Sequence, residues 1–227
     1  MKQTHKLLKS FITHESRRTR QLTEFSDDFE WITEQSRIGY LPLEISIPHE
    51  TILSEIANIE HLFVPHRQID QDNVGWLSFC IHGRSYDATT VDTGELIWTP
   101  EAIELMPNTV DFFKNHWFNN QFLRLRVMKL EPNGYITLHR DNKPPSRLGP
   151  VNIAITNPVG NNFAMEKHGI IPFEPGKAIM LNVSNNHAVL NESSIPRYHI
   201  IAHHSLVTED FKKMVVKSYQ KLVQNTN

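Results

Sequence analysis

Phe122-Leu-Arg-Leu-Arg-Val-Met-Lys-Leu130 and Tyr135-Ile-Thr-Leu-His-Arg-Asp141, separated by Pro132-Asn-Gly134, decide how the rest of the chain is read. Each segment alternates apolar and polar residues, or nearly so, which is the period of a half-buried strand. Pro-Asn-Gly between them is turn chemistry. Further strand-like pieces follow: Val151-Asn-Ile-Ala-Ile-Thr156, residues 178–183, His187-Ala-Val189 and residues 197–203. Clusters rich in Pro, Gly and Asn separate them, among them Asn157-Pro-Val-Gly-Asn-Asn162 and Phe173-Glu-Pro-Gly176. Many short strands with no long helix between them call for a mainly β fold, a sandwich or barrel of the jelly-roll kind, with helices packed outside.

The chain before this region reads differently. Apolar residues Ile52, Leu53, Ile56, Ile59 and Leu62 make one stripe of a helix over residues 50–62. Residues 76–82 read as a strand ended by Gly83, and Thr99-Pro100-Glu101 carries the cap, the proline and the acid of a helix start. Leu7, Leu8, Phe11 and Ile12 suggest a short amphipathic arm that lies on the body of the protein, the preferred reading because only one or two turns carry the pattern, on a second subunit or on a membrane surface; residues 209–222 suggest a closing helix. The expected organisation is one domain over 1–227: a mostly helical part over 1–70, a jelly-roll core over 75–204 and a C-terminal helix in 205–227.

Composition narrows the function. With 23 basic and 25 acidic residues the formal charge is −2, so the chain lacks the positive field that a nucleic-acid partner asks for. Its single cysteine, Cys80, excludes an intrachain disulfide and any multi-cysteine zinc or iron–sulfur site. No apolar run reaches membrane-spanning length and the N-terminus has no signal-peptide pattern, so a cytoplasmic protein without a membrane span is expected. The sequence leaves the oligomeric state open. Thirteen histidines are the compositional oddity.

Two-residue spacing on a strand puts side chains on the same side, so Thr137, His139 and Asp141 are expected to face one cavity, with Ile136 and Leu138 turned to the other layer. An imidazole and a carboxylate so placed form two corners of a metal site, although a His-x-Asp pair also serves plain hydrogen bonding. A third candidate ligand, His187, follows the strand-like residues 178–183. Two histidines and a carboxylate are the facial triad of a non-haem Fe(II) centre with open positions. A 2-oxo acid would chelate there beside dioxygen, and its far carboxylate would need a cation. Arg197, ten residues beyond His187, has the planar fork for that task if it points inward; pointing outward, it is an edge cation.

The segments Glu131-Pro-Asn-Gly-Tyr-Ile-Thr-Leu-His-Arg-Asp141, Phe173-Glu-Pro-Gly-Lys-Ala-Ile-Met-Leu-Asn182 and His187-Ala-Val-Leu-Asn-Glu-Ser-Ser-Ile-Pro-Arg197 resemble the aspartyl/asparaginyl β-hydroxylase family of 2-oxoglutarate- and Fe(II)-dependent oxygenases. The resemblance spans about residues 75–204. It implies a double-stranded β-helix (jelly roll, cupin-like), with His139 and His187 as iron ligands and Arg197 as the partner of the 2-oxoglutarate carboxylate. It also points to Arg147 as an arginine beside the co-substrate or substrate carboxylate, and to Asn152 where members often carry a second polar cofactor contact. One departure bears on the substrate. Animal members that modify protein domains lack the metal-binding carboxylate, whereas this chain has Asp141, which favours a small molecule.

The reading is therefore an Fe(II)/2-oxoglutarate-dependent dioxygenase, with 2-oxoglutarate and dioxygen as co-substrates. It hydroxylates an unactivated carbon of a small carboxylate or amino acid. The alternatives are a peptide or protein Asp/Asn β-hydroxylase, a cupin-like metal protein that does not use 2-oxoglutarate, and a jelly-roll binding domain without catalysis. Arg124 and Arg126 share one strand face with Met128 and would hold an anionic part of the substrate if inward; outward, they are solvated. His199 and His203 continue the alternation of Arg197 as supporting or core residues.

Overall fold

A computed structural model of the chain describes residues 2–18, 24–67, 73–89, 94–141 and 147–225. Its N-terminal part contains α1 (Lys2–Glu15), β1 (Tyr40–Leu43), α2 (His49–Ile56) with a tighter helical turn over Ala57–Leu62, β2 (Val64–Pro65) and β3 (Asn73–Gly83). Then come β4 (Ile97–Trp98), α3 (Pro100–Leu105), α4 (Pro107–Asp111) and the long β5 (Phe122–His139). The remainder is β6 (Val151–Ala154), β7 (Asn161–Met165), β8 (Gly169–Ile170), β9 (Ala178–Leu181), β10 (His187–Asn191), β11 (Arg197–His204) and α5 (Glu209–Gln224).

Local chemistry sets the helix ends. Thr99 accepts a hydrogen bond from the Ala102 amide at 3.4 Å and Pro100 follows it, so α3 starts where the sequence indicated. Thr208 does the same for α5 through the Phe211 amide at 3.2 Å. The buried carboxylate of Glu55 on α2 accepts from the Asn108 and Thr109 amides, both at 2.9 Å, and so caps α4 from another element.

The strands pair antiparallel in the order β1-β9-β6-β11-β5-β10-β7-β8, with β3 also on β5 and with β2 and β4 on β3. This is a curled sheet of the double-stranded β-helix, cupin-like kind, flanked by helices, as the sequence implied. Its curl comes from β5. β3 pairs with both parts of β5, while the other edge of β5 pairs with β11 along its first part and with β10 along its last. Between the register pairs Trp76↔Leu130 and Val74↔Tyr135, residues 131–134 are extruded from the ladder. The expected turn at Pro132-Asn-Gly134 is thus a corner within one strand, with Asn133 at a φ of 60°.

Two apolar layers result. Phe79, Leu125, Val127, Ile153 and Ile200 on the outer face pack against Ile52 and Ile56 of α2, Phe113, and Val215 and Tyr219 of α5. On the inner face, Trp76, Met128, Leu130 and Ala154 look across to Phe163, Met165 and Val189. The N-terminal arm lies on the protein itself, Leu8 and Ile12 of α1 meeting Ala164, Ala188 and Leu190. Strands β1, β2, β4, β7 and β8 escape the sequence pattern: β1 lies in the part expected to be mostly helical, the start of β7 overlaps the Asn-rich cluster read as a turn, and β2, β4 and β8 have two residues each.

A side chain at residue 134 would strain the β5 corner. A Cβ there would come within 2.9 Å of the Val74 carbonyl and 2.8 Å of the Glu131 carbonyl, distances that backbone atoms cannot yield. Gly134→Ala is expected to lower stability by about 1–3 kcal/mol. Thermal unfolding checks this, with a drop in Tm of roughly 2–10 °C.

Candidate metal centre

The end of β5 and the start of β10 lie side by side, His139 being the register partner of His187. Just beyond β5, Asp141 donates its amide to the Val183 carbonyl at 3.0 Å, which turns its carboxylate toward the two rings. His139 Nε2 lies 3.8 Å from Asp141 Oδ1 and His187 Nε2 lies 3.9 Å from Oδ2. The candidate ligand atoms of these three residues are all within 4.8 Å of one another. One ion can touch all three.

The rings are prepared for that role from behind. His139 Nδ1 lies 2.7 Å from the Thr137 carbonyl and His187 Nδ1 lies 2.9 Å from the Asn185 carbonyl. A carbonyl only accepts, so each Nδ1 carries the hydrogen and each Nε2 presents a lone pair. His187 also stacks on Phe163, with ring centroids 5.3 Å apart and planes 7° from parallel. Burial, reinforced by the neighbouring His139, pushes the His187 pKa down to about 4, so the ring is neutral and ready to ligate at neutral pH. Two imidazole nitrogens and a carboxylate are the donor set of a facial triad, and they fit Fe(II).

Expected alternation fails at one point. On β10 His187 and Val189 are two positions apart, but their β5 partners His139 and Ile136 are three apart. This bulge puts Ile136 on the cavity side with His139, while Thr137 is not among the cavity's lining residues and Leu138 is exposed. Ile136 was expected to face the other layer; the extra residue in β5 reverses it.

The triad opens into a cavity of about 750 Å3. Arg197 opens β11 opposite Leu130 at the deep end, only 1% exposed, with its guanidinium over the Phe173 ring at 4.8 Å. Its Nε and Nη2 have no hydrogen-bond partner among the described residues. Burial lowers its pKa to about 10, which leaves it charged at neutral pH. Asn152 is buried on β6 opposite Ile201 and lines the same cavity. Arg147 sits at the cavity wall half-exposed, its Nη1 3.4 Å from Glu34 Oε1.

Arg124 and Arg126 point inward, at 9% and 5% exposure, and do not face solvent. Arg124 Nη2 lies 3.3 Å from His203 Nε2, and Arg126 donates to the Thr89 carbonyl at 3.4 Å. Two further residues had no sequence signal. His66 and Arg67 enter from the end of β2, His66 beside Ser78 at 3.0 Å and Arg67 with its Nη1 3.4 Å from Asp141 Oδ1. Only the pairing of β2 with β3 carries them to the cavity. Among the described residues lining it, Asp141 is the one carboxylate, against the guanidiniums of Arg67, Arg124, Arg126, Arg147 and Arg197.

With this geometry established, comparison with known proteins gives a family. The model of the aspartyl/asparaginyl beta-hydroxylase family matches residues 48–204. The chain belongs to that family. As a member of the aspartyl/asparaginyl β-hydroxylase family with an intact His139, Asp141 and His187 triad, it is an oxygenase of the Fe(II)/2-oxoglutarate-dependent class. No curated protein matches it.

Among solved structures, it is similar to a 2OG-Fe(II) oxygenase family protein from Burkholderia pseudomallei, at 14% identity, a TM-score of 0.48, and coverage of 81% of this chain and 92% of that one. It is also similar to a prolyl hydroxylase of Trichoplax adhaerens in complex with a hypoxia inducible factor peptide, at 13% identity, a TM-score of 0.47, and coverage of 97% and 94%. The collagen prolyl hydroxylase of Paramecium Bursaria Chlorella virus-1 matches at 13% identity, a TM-score of 0.44, and coverage of 74% and 96%. At such distances no substrate transfers. No helix among the described residues is long and apolar enough to cross a membrane.

Two outcomes are expected at this centre. Asp141→Ala should weaken Fe(II) or Mn(II) binding at least tenfold, read by metal titration. Stability should also fall with acid. Burial first, then Arg126, Arg67 and Arg124, pushes the pKa of His66 down to about 3. Burial and the same arginines bring His203 to about 3, and burial alone brings His204 to about 4. Below pH 6.5 the unfolded chain takes up protons on these rings and the folded chain does not, so stability rises with pH across that window. Each pKa unit corresponds to about 1.4 kcal/mol. Tm at pH 5 should lie below that at pH 7, while pH 7 and pH 8 should differ little from this source.

Proposed function

We propose that this chain is an Fe(II)- and 2-oxoglutarate-dependent hydroxylase of an aspartyl or asparaginyl side chain presented on a peptide or protein. The observation that carries the chemistry is a facial triad and a buried, charged Arg197 opening into one cavity. Membership of the family favours the peptide or protein substrate over the small molecule suggested by Asp141. Free amino acids and other small carboxylates are the second reading, supported by the guanidinium-lined wall.

His139, Asp141 and His187 would hold Fe(II). Arg197 would pair with the distal carboxylate of 2-oxoglutarate, since a buried guanidinium without an anion is costly. Asn152 and Arg147 offer further polar contacts to the co-substrate or substrate carboxylates. When bound, iron, 2-oxoglutarate and dioxygen together replace a carbon–hydrogen bond with a carbon–hydroxyl bond, giving succinate and carbon dioxide. The rest belongs to the chain's own residues. The triad's backbone hydrogen bonds fix the ligand directions, Phe163 holds the His187 ring, and Arg124 and Arg126 turn an anionic group of the substrate toward the centre. The apolar wall of Trp76, Met128, Ile136 and Val189 keeps water away from the reacting carbon.

Succinate formation from 2-oxoglutarate, screened with Asp- and Asn-containing peptides beside free amino acids, tests this. The expected result is iron-dependent release above the uncoupled background with one class of substrate, and hydroxylation of that substrate by mass. Unchanged turnover in Asp141→Ala combined with His187→Ala would sink the proposal.

A further inference from the structure

Arg197 does not stand alone on its strand face. His199 lies two residues further along β11, so its side chain shares the face of Arg197, and both line the cavity. It is 4% exposed. Its cross-strand partners are Met128 on β5 and Ala154 on β6, which offer no side-chain hydrogen bond of ordinary strength. Phe173, whose ring lies under the Arg197 guanidinium, completes an apolar surround.

In this setting His199 Nδ1 is buried with no hydrogen-bond partner among the described residues, as are Nε and Nη2 of Arg197. Buried polar groups are normally paired, and each exception asks for a reason. Two such side chains, adjacent on one strand face, suit one ligand that accepts from both. The charge of each group narrows its nature. Burial, then the Arg197 charge, then His66 keep His199 well below the ordinary histidine pKa, so the ring is neutral and offers one N–H. One guanidinium and one neutral donor match a single carboxylate: the charge is balanced by Arg197 and the remaining lone pair is satisfied by the ring.

We infer that His199 donates an imidazole N–H to the distal carboxylate of 2-oxoglutarate, alongside Arg197, and thereby selects a dicarboxylic 2-oxo acid over a monocarboxylic one. This rests on the proposed use of 2-oxoglutarate. The ring supplies a donor where Met128 and Ala154 supply none, and it adds no second positive charge beside the guanidinium.

The test is calorimetric binding to the Mn(II)-loaded protein of two probes, 2-oxoglutarate and 2-oxobutanoate, which share the 2-oxo acid head but differ in the distal carboxylate. Wild type should bind 2-oxoglutarate the more tightly, and Arg197→Leu should erase that preference. His199→Phe, with His199→Leu as the smaller apolar alternative should Phe not fold, should raise the Kd for 2-oxoglutarate about tenfold, the loss of one charge-assisted hydrogen bond. The Kd for 2-oxobutanoate should stay within about twofold. His199→Gln, which restores an N–H, should recover most of the loss. If the apolar variants leave the 2-oxoglutarate Kd unchanged, or weaken both probes equally, His199 has no such role, even though Arg197→Leu erases the preference. If wild type shows no preference and Arg197→Leu changes nothing, the use of 2-oxoglutarate falls as well.

Discussion

The corner in β5 is the constraint on which the rest of the molecule depends. A strand can pair with β11 along one stretch and with β10 along the next only if its backbone changes direction, and here residues 131–134 leave the β3 ladder to make that change. Before the corner, β5 aligns with β11, which sets Arg197, His199 and His203 along one wall. After it, β5 aligns with β10, which sets His139 beside His187. The separation of metal ligands from deep cation is therefore a property of one strand's path. The bulge between Ile136 and His139 then makes a second adjustment, aiming the ligand ring and an apolar side chain into the same space.

Electrostatics inside that space are lopsided. One carboxylate faces several guanidiniums among the described lining residues, and it is the carboxylate that an ion would use. Low-dielectric surroundings make such an imbalance costly until anions enter. The histidines respond by staying neutral: His66, His199 and His203 are all depressed by burial together with nearby arginines. Neutral rings keep donors and acceptors available without adding to the excess. The cavity is thus poised for anionic guests.

Much of this was legible in the sequence because the decisive signals are short-range. Strand alternation and turn chemistry located β5, β6, β9, β10 and β11, and the His139, Asp141 and His187 spacing gave the metal cluster that the structure brings together. Cap residues Thr99 and the apolar stripe of Ile52, Ile56 and Ile59 were equally readable. What failed was what tertiary pairing decides. In β1, Pro42 interrupts the pattern and is tolerated because the strand lies at one end of the pairing order. The start of β7 is hidden by Asn161 and Asn162, which look like turn residues until β10 pairs with them. The inward direction of Arg124 and Arg126 could not be chosen from alternation alone, since either face fits the period. His66 and Arg67 reach the cavity only through β2 and β3.

His139 and His187 close the last register pair between β5 and β10, and beyond it Asp141 is tied to Val183 by one amide. An ion held by the three side chains would bind the folded arrangement and not the open chain, where His187 is far in sequence from His139 and Asp141. By mass action its occupancy then adds to the free energy of folding. The metal would be a rivet at the mouth of the barrel as well as a reagent, and the supply of iron would govern how long the folded chain survives along with how fast it turns over.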